Sequence, residues 1–300
     1  MPGKMNSLGL TSGPAQIGKA SRFLMLVKTY PIPSRKYEET VCCAGIDAET
    51  RSWIRMYPVN FRSLDEYARF AKWQFIDATW SPSPSDARPE SRKVHQDSIR
   101  AGERLPAGSG WEARRAWLDP IVDPSLEWLL DANLSSKQSL GAIRPARIER
   151  FIIRAASAAT AEQVGRVEQL RMEWTGSTEP KGELELLPFD FLYRFTCRDD
   201  RCKGHEMQIF DWELGQAYRN FRRTYQARHG PNGWEAKLRQ KYESELPSRD
   251  LHLLLGTHHR WGSWLIVGVV APPYPQVRRG NRADRSQTTG EDGAVTLGLV

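Results

Sequence analysis

Long apolar runs are missing from this chain. The longest clean stretch, LIVGVVAPP from Leu265, offers seven residues before its prolines, far short of the roughly 20 that a membrane-crossing helix needs. The first twenty residues, rich in Gly, Ser and Lys, lack the apolar segment of a signal peptide and read as a disordered lead-in. Cysteine is scarce as well: Cys42, Cys43, Cys197 and Cys202 are all there are. Sequence neighbours rarely pair with each other, so a disulfide framework is not expected and a reducing cytoplasm is. Also absent are the phosphate-cradling GxxxxGK[ST], the dinucleotide-binding GxGxxG, the zinc-protease HExxH and the nucleophile elbow GxSxG. No internal repeat is visible, which sets aside solenoids and propellers.

What is present describes a globular protein of two domains. The 300 residues are 40% hydrophobic and 26% charged, with 11 tryptophans to build cores. Lys and Arg outnumber Asp and Glu by 43 to 36, a net charge of +7. The excess is largely arginine, whose planar fork suits phosphates and base edges, so polyanions lead among candidate partners.

The expected fold class is α+β. FLMLVKTYPIP from Phe23, ETVCCAGID from Glu39 and RSWIRMYPVNF from Arg51 are short, rich in β-branched and aromatic residues, and bounded by Pro, Gly or Asp. They predict a β-meander or small barrel. Helical insertions follow: SLDEYARFAKW, with Ser63 as N-cap and Tyr67, Phe70 and Trp73 turned inward, and WEARRAWLDPIVDPSLEWLLDANL, split by Pro120 and Pro124, with Trp117, Leu126, Leu129 and Leu130 buried. Between them, Ser81 to Gly110 reads as a long polar loop, and a strand near Ile148 closes the domain. The expected organisation is a lead-in over 1–20, a β-rich domain over 21–158, a helix and linker over 159–187, an α+β domain over 188–273 and a disordered tail over 274–300.

The densest chemistry lies in FTCRDDRCKGHEMQIFDWE, where Cys197, Cys202 and His205 fall within nine residues. Zinc prefers thiolate and imidazole donors in a tetrahedron, and this polar, turn-forming loop supplies three corners. A fourth ligand must come from elsewhere. Asp211 is too far along: six extended residues at about 3.3 Å each place it roughly 20 Å from His205. His258 or His259, ending LHLLLGTHH, is favoured as the donor over Cys42 or Cys43 of the first domain, while His252 alternates with leucines and reads as a satisfied sheet histidine. Asp211 directly precedes the helical pattern Leu214, Ala217, Tyr218, Phe221, Tyr225, where an aspartate is the natural N-cap.

Two surfaces suggest nucleic acid. In WIRMY, Trp53, Arg55 and Tyr57 share one strand face, an aromatic and cationic platform on which bases can stack. In WELGQAYRNFRRTYQARH, Arg219, Arg222 and Arg223 lie away from the apolar stripe, and Trp212 to Lys241 carries seven Lys or Arg against Glu213 and Glu235. The leading expectation is therefore a zinc-clipped cytoplasmic nucleic-acid-binding protein. The alternative is a metal-dependent nuclease or phosphoesterase in which Asp211 and Glu213 converge on magnesium and His259 serves as acid or base. A third is a component of a larger protein assembly.

Overall fold

The computed structural model describes residues 18–30, 32–34, 38–61, 64–156, 187–230, 232–258 and 262–275. The expected lead-in as far as residue 17, the helix and linker as far as residue 186, the tail beyond residue 275, and Ser63 and His259 lie outside the described residues.

The fold is α+β. In chain order its elements are β1 (Lys19–Lys28), β2 (Ile32–Ser34), β3 (Glu38–Asp47), β4 (Trp53–Val59), β5 (Gln74–Pro82), β6 (Ser91–Val94), β7 (Arg100–Arg104), α1 (Glu112–Leu118), β8 (Val122–Asp123), α2 (Leu126–Ser136), β9 (Leu140–Ile143), β10 (Arg147–Ala155), β11 (Phe189–Thr196), β12 (His205–Gln208), α3 (Trp212–His229), α4 (Gly233–Arg239), β13 (His252–Thr257) and β14 (Trp264–Val270).

The β-meander closes into a barrel. β1 is antiparallel to both β3 and β5, β3 to β4, and β5 to β6, while β4 runs parallel to β6. The ring is thus β1–β3–β4–β6–β5, with β7 added beside β5 and β2 beside β3. Numbered along the chain, its five strands follow the order 1-2-3-5-4-1, the connectivity of an OB barrel. Alternation along the strands divides their side chains: Phe23, Met25, Cys43, Ile54, Met56 and Ile76 fill the interior, while Leu24, Ala44, Ile46 and Phe75 point outward. At Gly45 the β1 backbone passes so close that a Cβ would strike the Leu24 carbonyl, so only glycine fits there.

Those outward residues are not wet. They pack with Leu140, Ala142, Leu254, Val267 and Val270 of a second sheet, ordered β14-β13-β9-β8. The opposite face of that sheet, with Ile143, Leu253, Leu255, Ile266 and Val269, joins Phe151, Phe191, Tyr193 and Phe195 of the sheet β10-β11-β12 and the apolar sides of α2, α3 and α4. A sheet buried on both faces needs continuous apolar runs, which is what LHLLLG and LIVGVV are. Each fully buried leucine there contributes about 1.5–3 kcal/mol.

Several local expectations change. Ser81 to Gly110 is not a bare loop but carries β6 and β7; strands of four and five residues beside prolines leave too little periodicity to read. The expected helix around Tyr67 is one 3-10 turn, Glu66–Ala68, so Tyr67 stays 55% exposed while Phe70 and Trp73 are buried. Leu130 is exposed because α2 turns Leu126 and Leu129 inward instead. The strand near Ile148, β10, pairs with β11 over its whole length rather than with the barrel.

Candidate metal centre

β11 delivers Cys197 at its end, and the chain then reverses through a tight turn in which the Cys202 amide donates to the Asp199 carbonyl (2.9 Å). The Cys197 amide donates to Cys202 Sγ at 3.1 Å, folding one cysteine back over the other. Gly204, at φ +88, takes the left-handed conformation that turns the chain into β12, whose first residue is His205. The loop is tied to α2: Ser125 caps that helix by accepting from the Trp128 amide (3.0 Å), and its hydroxyl donates to Asp199 Oδ2 (2.7 Å). Arg201 braces the same corner by bridging Asp199 and Asp131.

This anchoring brings Glu127, in the first turn of α2, onto the cluster. Its Oε1 lies 2.8 Å from His205 Nε2, and Cys202 Sγ lies 3.3 Å from the same nitrogen. One donor atom each from Glu127, Cys197, Cys202 and His205 falls within 4.8 Å of all the others, so the group can hold a metal ion. Cys197 and Glu127 are buried, Cys202 and His205 half-buried. Burial pushes the Cys197 thiol up to about 12, against the Leu126 amide that hydrogen-bonds its sulfur. Burial also pushes the Glu127 carboxyl up, but a backbone amide and hydrogen bonds from Cys202 and His205 outweigh it and hold the group below its ordinary value. A divalent cation would supply the charge that such a site needs to ionise both thiols.

The structure thus gathers Cys197, Cys202 and His205, and not His258. β13 lies between β9 and β14, while β11 lies between β10 and β12, so the end of β13 does not sit beside Cys197. His258 instead exchanges backbone bonds with Gly262 and Ser263. Glu127 went unread because an acid in the first turn of a helix has an ordinary explanation in the helix dipole.

A second group of suitable donors, Asp119, Asp250 and His252, is already neutralised. Arg115 pairs with Asp250 (2.8 Å), and Arg144 reaches Asp119 (2.8 Å), Asp250 (3.2 Å) and His252 Nε2 (2.8 Å). His252 is fully buried with Nδ1 donating to the Asp250 carbonyl, a satisfied sheet histidine as its leucine neighbours suggested.

Asp211 caps α3, accepting from the Glu213 amide at 2.9 Å, as its position implied. Its other oxygen accepts from the Val269 amide (2.8 Å) and from Lys72 Nζ (3.2 Å), which also reaches Glu213 (3.0 Å). An ammonium group thus occupies the place between the two carboxylates that the nuclease alternative assigns to magnesium. Burial alone would lower the Lys72 pKa, but Asp211 and Glu213 reverse this and hold it above its ordinary value.

The aromatic and cationic strand face requires a correction. Arg55 is 2% exposed and donates to Ser139 Oγ (2.7 Å) and the Ser139 carbonyl (2.9 Å), while Glu90 accepts from the Ser139 amide and hydroxyl (2.7 Å each). Alternation placed Arg55 on the outward face correctly, but the second sheet covers that face. Trp53 packs into the same apolar layer, and Tyr57 remains exposed. On α3, Arg222 and Arg223 are exposed; Arg222 bonds Gln226 (3.4 Å) and Arg223 bonds Asn220 (3.1 Å). Arg219 is half-buried with its guanidinium 5.4 Å from the Tyr30 ring.

Two family models match this architecture. A domain of unknown function (DUF8758) matches residues 19–120, the barrel through α1. A second, a domain of unknown function (DUF8757), matches residues 124–289, more than half of the chain, which therefore belongs to that family. All four residues of the candidate metal centre fall inside the second match. No curated protein matches the sequence.

Proposed function

We propose that this chain is a zinc-clipped nucleic-acid-binding protein that acts by binding rather than by catalysis. Zinc is favoured by the donor chemistry: two thiols and an imidazole form a soft, tetrahedral set, whereas magnesium takes oxygen ligands in an octahedron. The same thiols, with all four cysteines free, suit a reducing compartment such as the cytoplasm.

The observation that carries the nucleic-acid reading is the exposed pair Arg222 and Arg223 on α3, within the segment that concentrates the positive charge. The barrel's OB connectivity supports it by analogy only, because its β3–β4 outer face lies under the second sheet. Contacts to phosphate accordingly shift to α3, with Tyr57 the exposed aromatic of the barrel strands. The Lys72 ammonium between Asp211 and Glu213 weighs against the nuclease alternative. Among the described residues, no helix is long and apolar enough to cross a membrane.

Fluorescence anisotropy with labelled single-stranded DNA and RNA over a salt series tests this reading. Each phosphate contact adds about 0.7 to the slope of log K against log salt on single strands. The double variant Arg222→Glu, Arg223→Glu is expected to bind more weakly and to flatten that slope by about 1.4. Absence of wild-type binding at low salt rejects the function, and an unchanged slope in the variant rejects the place of contact.

A further inference from the structure

We propose that Glu127 is the fourth ligand of the zinc centre, so that the ion cross-links the start of α2 to the β11–β12 turn. The inference rests on the zinc reading above and adds to it the closing ligand, which comes from an element some seventy residues earlier.

The decisive observation is which nitrogen the carboxylate meets. A carboxylate that only orients a metal-bound histidine sits behind the ring, on the nitrogen that faces away from the metal. Here Glu127 Oε1 and Cys202 Sγ both approach His205 Nε2, at 2.8 and 3.3 Å. Carboxylate, sulfur and the ligating nitrogen therefore face one common point, and Glu127 stands on the metal's side of the ring.

Distances agree with a shared ion. A tetrahedral zinc with bonds of about 2.3 Å to sulfur and about 2.0–2.1 Å to nitrogen or oxygen spaces its donors roughly 3.3–3.8 Å apart. The four donors here all lie within 4.8 Å of one another. Insertion of an ion asks the closest pairs to part by about half an ångström or less.

The carboxylate also has an oxygen to spare. Glu127 Oε2 is buried and has no hydrogen-bond partner among the described residues. An unpaired acceptor in a buried site is costly unless a cation answers it. With two thiolates and one carboxylate the zinc complex carries a net charge of about −1, and the start of α2, with its Leu126 amide on the Cys197 sulfur, is the positive end of a helix dipole suited to hold it.

Cobalt(II) replaces zinc in tetrahedral sites and reports its ligands through its visible bands. The full chain, stripped of metal under reducing conditions, is titrated with cobalt and then competed with zinc, alongside Glu127→Gln, Glu127→Ala and His258→Ala. Wild type is expected to take up one cobalt with intense tetrahedral d–d and sulfur-to-cobalt bands. Both Glu127 variants should lose at least 100-fold in cobalt affinity and shift the d–d bands, and His258→Ala should match wild type. Glu127→Gln keeps the side-chain shape, so a misfolded Glu127→Ala would not decide the matter alone. Glu127→Gln affinity within 3-fold of wild type with unmoved bands overturns the proposal, as does a loss in His258→Ala instead. A wild type that takes up no cobalt or zinc overturns the zinc reading itself, and with it this ligand.

Discussion

Replacing Lys72 with methionine keeps the length of the side chain and removes its charge. The Lys72 side chain is 5% exposed, and its ammonium sits 3.2 Å from Asp211, whose side chain is 2% exposed, and 3.0 Å from the half-exposed Glu213. Removing one partner of a buried ion pair costs about 3–5 kcal/mol, because the remaining charge stays behind without its counter-ion. Asp211 would keep two donors, the Val269 and Glu213 amides, which places the expected loss near the low end, about 3 kcal/mol at pH 7. Burial already pushes the Asp211 carboxyl above its ordinary value despite Lys72, and without the ammonium it rises further. A carboxyl with a raised folded pKa binds protons more readily in the native than in the unfolded state, so stability of the variant falls as pH rises through that value. The gap between wild type and variant should therefore be widest at neutral pH and narrow toward pH 4. Urea unfolding followed by tryptophan fluorescence measures it; at roughly 3 kcal/mol per molar urea the midpoint moves by about 1 M. Adding Asp211→Asn to Lys72→Met should cost less than the sum of the single changes. A loss below about 1 kcal/mol at pH 7, or strict additivity, would refute the reasoning that Lys72 answers the buried charge of Asp211.

Two further outcomes follow from buried polar groups. Burial pushes the Asp123 carboxyl up to about 6, despite the Ala142 amide that bonds it at 3.0 Å. Its folded pKa lies above its unfolded value of 3.8, so its contribution to stability is complete below that value and lost as pH rises toward 6; the melting temperature of wild type relative to Asp123→Asn should fall across this window, and parallel curves would contradict it. Arg55→Lys cannot reproduce the two-pronged contact with Ser139 and should destabilise by about 3 kcal/mol. Nucleic-acid affinity of the folded variant should be unchanged, since the side chain is covered; a specific loss of affinity without loss of stability would restore Arg55 as a contact.

The barrel was legible because its strands are short runs rich in β-branched and aromatic residues bounded by Pro, Gly or Asp, and the cysteine turn because thiols and imidazole so closely spaced have little other use. Glu127 was illegible for the opposite reason: one glutamate in a helix's first turn is too ordinary to signal a ligand. Arg55 shows a different limit. Alternation along β4 tells which face a residue takes, but not that Ser139, eighty residues on, will arrive to cover it. His258 failed as a ligand because β13 pairs with β9 and β14 and not with β11, a matter of long-range strand pairing that leaves no local trace.

The apolar layer between barrel and second sheet bears on how these two regions travel. Residues 19–120 cut free would bare Leu24, Leu26, Ala44, Ile46 and Phe75 together, a contiguous greasy surface of the kind that drives self-association. The second region would lose the same shelter for Leu140, Leu254 and Val267. A chain that carried the barrel alone would need a new cover for that wall, or polar residues in place of its apolar ones.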